Sequence, residues 1–190
     1  PTNYLPTATN ILLAVNKAAC PTVVFNDVTV TYDGKTHGVY AENVLYPLTV
    51  TGYLNNEKVN AGRYAAIAFI SQSDKENYTL ADEQIAAYLT IKKAPSVITV
   101  PEKIYLLKGN DLTVTGSVNN AEQSLIIPRF DSSVAGEYSV IIKTSESANY
   151  LAGEKAIAVT VNERDLVSGS FSYPNDYDGT YFYGIIGDYD

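Results

Sequence analysis

The feature that most constrains this chain is a short unit met three times: an Asn-Tyr pair, a few loop residues, then apolar residues at every second position. Asn3-Tyr4 leads to Ile11, Leu13 and Val15. Asn77-Tyr78 leads to Ile85, Ala87, Leu89 and Ile91, and Asn149-Tyr150 leads to Ile157, Val159 and Val161. The two intervals between these pairs are nearly equal, and recurrence at a nearly constant period marks tandem modules rather than one large domain. Modules of about 70 residues bury only ~60% of the surface their unfolded chains expose, so each gains from support by its neighbours.

The period divides the chain into four parts. Residues 1–19 read as the closing strand of a preceding module, with Ile11, Leu13 and Val15 on one face and Leu12 and Ala14 on the other. Residues 20–94 form a first complete module and 95–164 a second. Residues 165–190 open a further one, because Tyr177-Asp178-Gly179 falls about two periods after Tyr32-Asp33-Gly34. With no initiator Met, no leader and a partial module at each end, the chain reads as an excerpt of a longer protein. A bare apolar strand invites another chain to pair with it. Ile11, Leu13 and Val15 are therefore candidates for an inter-subunit strand.

Inside the first module, Val23-Val24-Phe25, Val28 to Tyr32, Leu48 to Gly52 and Ala65 to Ser71 are β-branched, aromatic or alternating, which predicts strands. Asp33-Gly34 supplies a turn in which Gly is free to take positive φ. Residues 82–88 favour helix on propensity alone. Their counterpart from Ile157 to Val161 alternates and is β-branched, so both are read as strands. In the second module Leu112 to Gly116 repeats Leu48 to Gly52, and Asn119-Asn120 repeats Asn55-Asn56, both at one and the same interval. Ala135-Gly136-Glu137-Tyr138 repeats Ala61 to Tyr64 at a larger interval, which predicts a longer excursion around Gln123 to Asp131.

Composition removes several function classes. The net charge of −8 offers no basic patch for nucleic acid or an anionic membrane surface. No apolar run reaches the ~18 residues of a spanning helix. The single cysteine, Cys20, rules out an internal disulfide framework. Cys20 and the single histidine, His37, form a nucleophile–base pair only if they lie within hydrogen-bond reach, and linker and turn roles explain them more simply. Asp176, Asp178, Asp188 and Asp190 are carboxylates of the kind hard cations take, and Asp176 and Asp178 are candidate calcium ligands. The third acid and distal Glu of a complete calcium loop are missing, so an acidic turn is the plainer reading. No other cofactor is expected. Tyr173, Tyr177, Tyr181, Tyr183 and Tyr189 fall outside the repeat pattern and are candidate interface aromatics.

Val30 to Gly38, with its Tyr32-Asp33-Gly34-Lys35-Thr36-His37-Gly38 core, resembles the opening of the bacterial Ig-like repeats called MBG modules. Ala61-Gly62-x-Tyr64, Asn77-Tyr78 and the closing Leu89 to Ala94 resemble the rest of their signature. The second module matches less well, since Tyr105 to Gly109 replaces the opening and no His follows. The resemblance implies tandem all-β modules of large secreted or wall-attached bacterial proteins, with stalk or adhesin roles and no catalytic residues. Ala-Gly-x-Tyr also resembles the tyrosine corner of Ig-like sandwiches, which assigns Tyr64 and Tyr138 to that role.

The expected architecture is thus all-β: tandem Ig-like β-sandwich modules with partial modules at both ends. The expected function is an extracellular spacer, stalk or fibre segment, with neighbouring modules or copies of itself as partners and head-to-tail strand complementation as the route to a fibre. The alternative is an adhesin module that binds a glycan or a host protein. An enzyme is the remote third choice.

Overall fold

The computed structural model describes residues 8–163 and the backbone of two further strands, 168–171 and 182–185. The chain divides into two compact units between Ala94 and Pro95.

The first unit contains β1 (Ala18–Ala19), β2 (Val28–Thr31), β3 (Leu48–Leu54), β4 (Gly62–Gln72), β5 (Tyr78–Thr79) and β6 (Gln84–Lys92). Its main sheet has the order β2-β6-β4-β3. β2 runs parallel to β6, and the other neighbours are antiparallel. β4 and β6 form because their apolar residues fall at every second position and all face one way. Ala66, Ala68 and Ile70 of β4 are buried, as are Ala87, Leu89 and Ile91 of β6. That one-sided burial overrides the helical propensity of residues 84–88, which pair with β4 from Ala65↔Tyr88 to Phe69↔Gln84. Opposite the sheet, Val24 bridges to Glu42 and places Val39 in the core, 1% exposed.

The second unit contains β7 (Ile98–Thr99), β8 (Lys103–Leu107), β9 (Ser117–Val118), β10 (Gly136–Thr144) and β11 (Gly153–Asn162). Its main sheet has the order β8-β11-β10, again with the first strand parallel to the last. β7 and β9 pair antiparallel as a second layer. Val140, Ile142, Ile157, Val159 and Val161 form the core with Ile98, Val100 and Val114. β12 (Ser168–Phe171) and β13 (Phe182–Ile185) make an antiparallel hairpin. Both units are Ig-like β-sandwiches: a first strand parallel to the last, the penultimate strand antiparallel to it, and a smaller facing layer, with two buried clusters in the first unit and one in the second.

Three expectations change. First, Leu112 to Gly116 is not the counterpart of Leu48 to Gly52. Leu48 to Gly52 begins β3 at the edge of the main sheet, whereas Leu112 to Gly116 belongs to no ladder and runs into β9 of the other layer. Its true counterpart is the stretch around Val39, because the Val24–Glu42 bridge matches the Ile98–Val118 pair and Val39 and Val114 are both buried. The counterpart of β3 is the stretch around Ile126. Ile126 bridges to Lys143 of β10 as Gly52 pairs with Phe69 of β4, and both residues of the bridge lie one repeat period further along the chain. No longer excursion exists around Gln123 to Asp131. The ladder stops short there because Pro128, two residues past the bridge, has no N–H to donate.

Second, no strand forms over Ile11 to Val15. A strand needs a ladder partner, and none of the described strands pairs with this stretch. Third, Val23-Val24-Phe25 makes a single bridge rather than a strand.

Candidate functional site

The side chains that the repeat singled out sit at the corners and turns of the two sandwiches. Tyr64 at the start of β4 donates its O–H to Asn60 O at 2.9 Å, and Tyr138 at the start of β10 donates to Val134 O at 2.9 Å. Each ring folds back over the glycine two residues before it. A Cβ on Gly62 would lie 2.9 Å from the Tyr64 ring, and Gly136 has φ of +157°. The Ala-Gly-x-Tyr spacing thus follows from geometry: glycine leaves room for a ring that ties the corner to the preceding loop. A hydrogen bond of this type is worth about 1 kcal/mol. Tyr64→Phe and Tyr138→Phe should therefore each cost about 1 kcal/mol in urea unfolding, and an unchanged midpoint in both would remove the corner from the account.

The opening turn is built on Asp33. Its Oδ1 accepts the Lys35 backbone N–H at 2.9 Å and lies 2.7 Å from His37 Nε2, while Gly34 takes φ of +77°. The His37 backbone pairs with Lys58. Asp74 and Asp131 make similar turns, with the N–H groups of Asn77 and Ser133. The Lys35 N–H and the His37 ring hold the Asp33 carboxyl below its ordinary value of 3.8. Asn77 and then Tyr46 lower Asp74, and Ser133 lowers Asp131. For an acid depressed in the folded state, the stabilisation is present above the ordinary value and is lost as pH falls through the folded one. Acid unfolding followed by circular dichroism should accordingly show a shallower stability loss below about pH 4 in an Asp33→Asn, Asp74→Asn, Asp131→Asn chain than in the native one.

Cys20 is half-buried and lines a cleft of about 170 Å³ with Val23, Leu48, Ile70, Leu80 and Ile85. Its N–H bonds to Thr79 O, whereas His37 belongs to the Asp33 turn, and among the described residues no hydrogen bond joins the two. Thr22 and Asp82 add polar groups to the otherwise apolar wall, and no histidine lines it. Among the described residues no group of three or more His, Cys, Asp and Glu is gathered as for a metal.

Ile11, Leu13 and Val15 stand 87%, 82% and 85% exposed. They lead into β1, which pairs parallel with β5 of the first unit, and Lys17 Nζ bonds Lys75 O. Tyr183 lies in β13 opposite Ser170. Tyr173, Tyr177, Tyr181, Tyr189, Asp176, Asp178, Asp188 and Asp190 lie outside the described residues.

Sequence reasoning missed a polar clasp in the second unit. Gln123 Nε2 donates to Ser145 O at 2.6 Å and Leu151 O at 2.9 Å, and Glu122 receives the Asn149 backbone and side-chain N–H groups at 3.1 and 2.8 Å. Ser96 and Asn120 bond Gln123 Oε1. The recurring Asn of Asn77-Tyr78 and Asn149-Tyr150 is thus a loop-pinning residue in both units, with Asp74 as its acceptor in one and Glu122 in the other. The available signal was the repeat itself, but the acceptors differ in position, so it identifies the donor only.

No family model matches the chain, and no curated protein matches it. Among solved structures it is similar to the fibronectin(III)-like modules of Clostridium thermocellum CbhA at 11% identity. That match covers 80% of this chain and all of that one, with a TM-score of 0.30. It is also similar to Drosophila N-cadherin EC1-3, at 8% identity over 71% of this chain and 63% of that one, with a TM-score of 0.29.

Proposed function

We propose that this chain is a spacer segment of an extracellular surface or secreted protein of bacterial, MBG-like type, in which tandem Ig-like modules contribute reach rather than chemistry. The observation that carries this reading is the duplication of one scaffold, with the recurring polar residues spent on its own corners and turns. Tyr64 and Tyr138 tie corners, and Asn77 and Asn149 pin loops. Repeats of this kind add length through nearest-neighbour contacts. The test is a binding screen of the whole chain against a glycan array and a panel of extracellular host proteins. A spacer binds none of them. Saturable binding to one target, lost on substituting a loop residue such as Arg129, establishes the adhesin reading instead.

A second reading has its own observation. Ile11, Leu12, Leu13 and Val15 are all exposed and without a ladder, and an unpaired apolar stretch of this kind favours strand addition to another copy and head-to-tail fibres. Sedimentation velocity at rising concentration tests it, with Leu13→Asp and Val15→Asp as the variant. Association that disappears in the variant supports strand addition, and a chain that stays monomeric throughout, or a variant that associates equally, overturns it. Removing residues 1–19 is a poorer test, because Ala18 and Ala19 pair within the first unit.

A further inference from the structure

The two units differ at one edge of the main sheet. In the first, β3 covers β4 from Leu48↔Gln72 to Leu54↔Ile67. In the second, the corresponding edge of β10 has a single bridge, Ile126↔Lys143, whose two bonds measure 2.7 and 3.1 Å. Past Pro128 the Phe130 ring packs into the core against Tyr138, with centroids 5.3 Å apart, and no further backbone bond to β10 follows. On its other side β10 pairs with β11 along its whole length, from Gly136↔Val161 to Thr144↔Gly153. Successive residues of a strand bond to opposite sides. Glu137, Ser139 and Ile141 therefore point their N–H and C=O groups the same way as Lys143, away from β11. Among the described residues no strand or bridge takes them.

Sheets blunt such edges with bulges, charges or short strands. β3 has a bulge between Val50 and Gly52, and β2 is four residues long. β8 carries Lys103, and its Leu107 O is taken by the Asn110 N–H at 3.0 Å. β10 has nine residues in unbroken register, with only Ser139 and Ile141 between its outward Glu137 and Lys143. The same chain holds a stretch with the matching lack, since Ile11, Leu12, Leu13 and Val15 are exposed and in no ladder. Residues 8–19 contain one charged side chain, Lys17, and the Glu137 side chain is 81% exposed. We propose that the open edge of β10 accepts residues 13–17 of a second copy as an antiparallel strand, with Lys17 opposite Glu137, Val15 opposite Ser139 and Leu13 opposite Ile141. Antiparallel is the sense in which β3 lies on β4, and charge selects it here, because a parallel strand carries Lys17 toward Lys143 instead. Leu13 covers the exposed Ile141 side chain, and the added ladder ends there because Ile126 holds Lys143. This acceptor edge rests on the strand-addition reading above and gives it a surface and a register.

Sedimentation velocity of the full chain at concentrations up to about 1 mM tests this. A five-residue strand buries less than the ~1,200 Å² of a standard interface, so association is weak and shows at the upper end of that range. Lys17→Glu and Glu137→Lys should each lower the association constant about tenfold, since each sets like charges opposite one another. The two changes combined in one chain should restore it. Glu137→Lys also ends the 3.6 Å contact with Lys103, an exposed pair whose loss leaves the fold intact by circular dichroism. Lys17→Glu disturbs no sheet of the second unit and keeps the proposal testable if Glu137→Lys fails to fold. Association that is unchanged in both single variants, or not restored in the combined one, overturns this acceptor edge. If that association is still lost in the Leu13→Asp, Val15→Asp chain, strand addition stands and its acceptor lies elsewhere. A native chain that is monomeric throughout overturns both.

Discussion

Replacing Ile142 with Ala is expected to cost the second unit about 2–5 kcal/mol, read as a lower urea midpoint at unchanged slope. Ile142 is 0% exposed at the centre of β10, packed among Val140, Ile157, Val159 and Val161. Its counterpart in the first unit, one repeat period earlier, is Ala68, also 0% exposed. The first unit accommodates so small a residue because Phe25 and Tyr53 pack over it, their rings 6.1 Å apart. In the second unit the Ile142 side chain itself fills that space, so its truncation leaves a cavity there. The converse change, Ala68→Ile, adds methylenes to a space already filled and should cost about 1–3 kcal/mol in the first unit. The neighbouring Ile141→Ala, on a side chain 45% exposed, should shift stability by no more than about 0.5 kcal/mol. A neutral Ile142→Ala would mean that the β10 face is not the core of the second unit.

The second large effect separates two glycines that the sequence spells alike. Gly52 closes Leu48 to Gly52, and Gly116 closes Leu112 to Gly116. A Cβ on Gly52 would meet nothing within 4 Å, and its strand conformation suits Ala. Gly52→Ala should therefore be neutral or stabilising by up to about 1 kcal/mol, since glycine weakens a strand interior. A Cβ on Gly116 would lie 2.4 Å from Thr99 O and 2.5 Å from Val100 Cγ1. Backbone cannot give way cheaply, so Gly116→Ala should push β9 from β7 and cost about 1–3 kcal/mol, by the reasoning that applies to overpacked sites. Equal responses at the two positions would restore the equivalence that the spelling suggests.

These glycines show where sequence reading works and where it stops. Alternation at every second residue reports which side of a strand is buried, and it located β6 and β11 with their inward residues, and β4 as a strand. The repeat then corrected propensity at residues 84–88, and the Asp33-Gly34 turn was legible because Gly34 needs positive φ. Alternation does not name the partner of a strand. Leu112 to Gly116 has the pattern of Leu48 to Gly52 but serves the opposite layer, and only the pairs Ile98–Val118 and Ile126–Lys143 reveal it. Ile11 to Val15 shows the same limit from the other side, having the pattern of a strand and no ladder. At the candidate sites, the tyrosines of Ala-Gly-x-Tyr were visible because ring and glycine are neighbours in sequence. The acceptor Glu122 was not, because its partner Asn149 is distant in sequence and the choice of acceptor differs between units.

The central claim is that two sandwiches repeat one strand plan, with the first strand parallel to the last and Leu112 to Gly116 displaced from the main sheet. Amide hydrogen exchange of the native chain, resolved by residue, tests it most directly, because ladder amides are protected and unpaired ones are not. The account predicts strong protection across β4, β6 and β11. It also predicts protection at alternate residues of β2, β3, β8 and β10, and fast exchange from Leu112 to Gly116. Protection of Leu112 to Gly116 equal to that of Leu48 to Leu54, or fast exchange throughout β2 and β8, would contradict it.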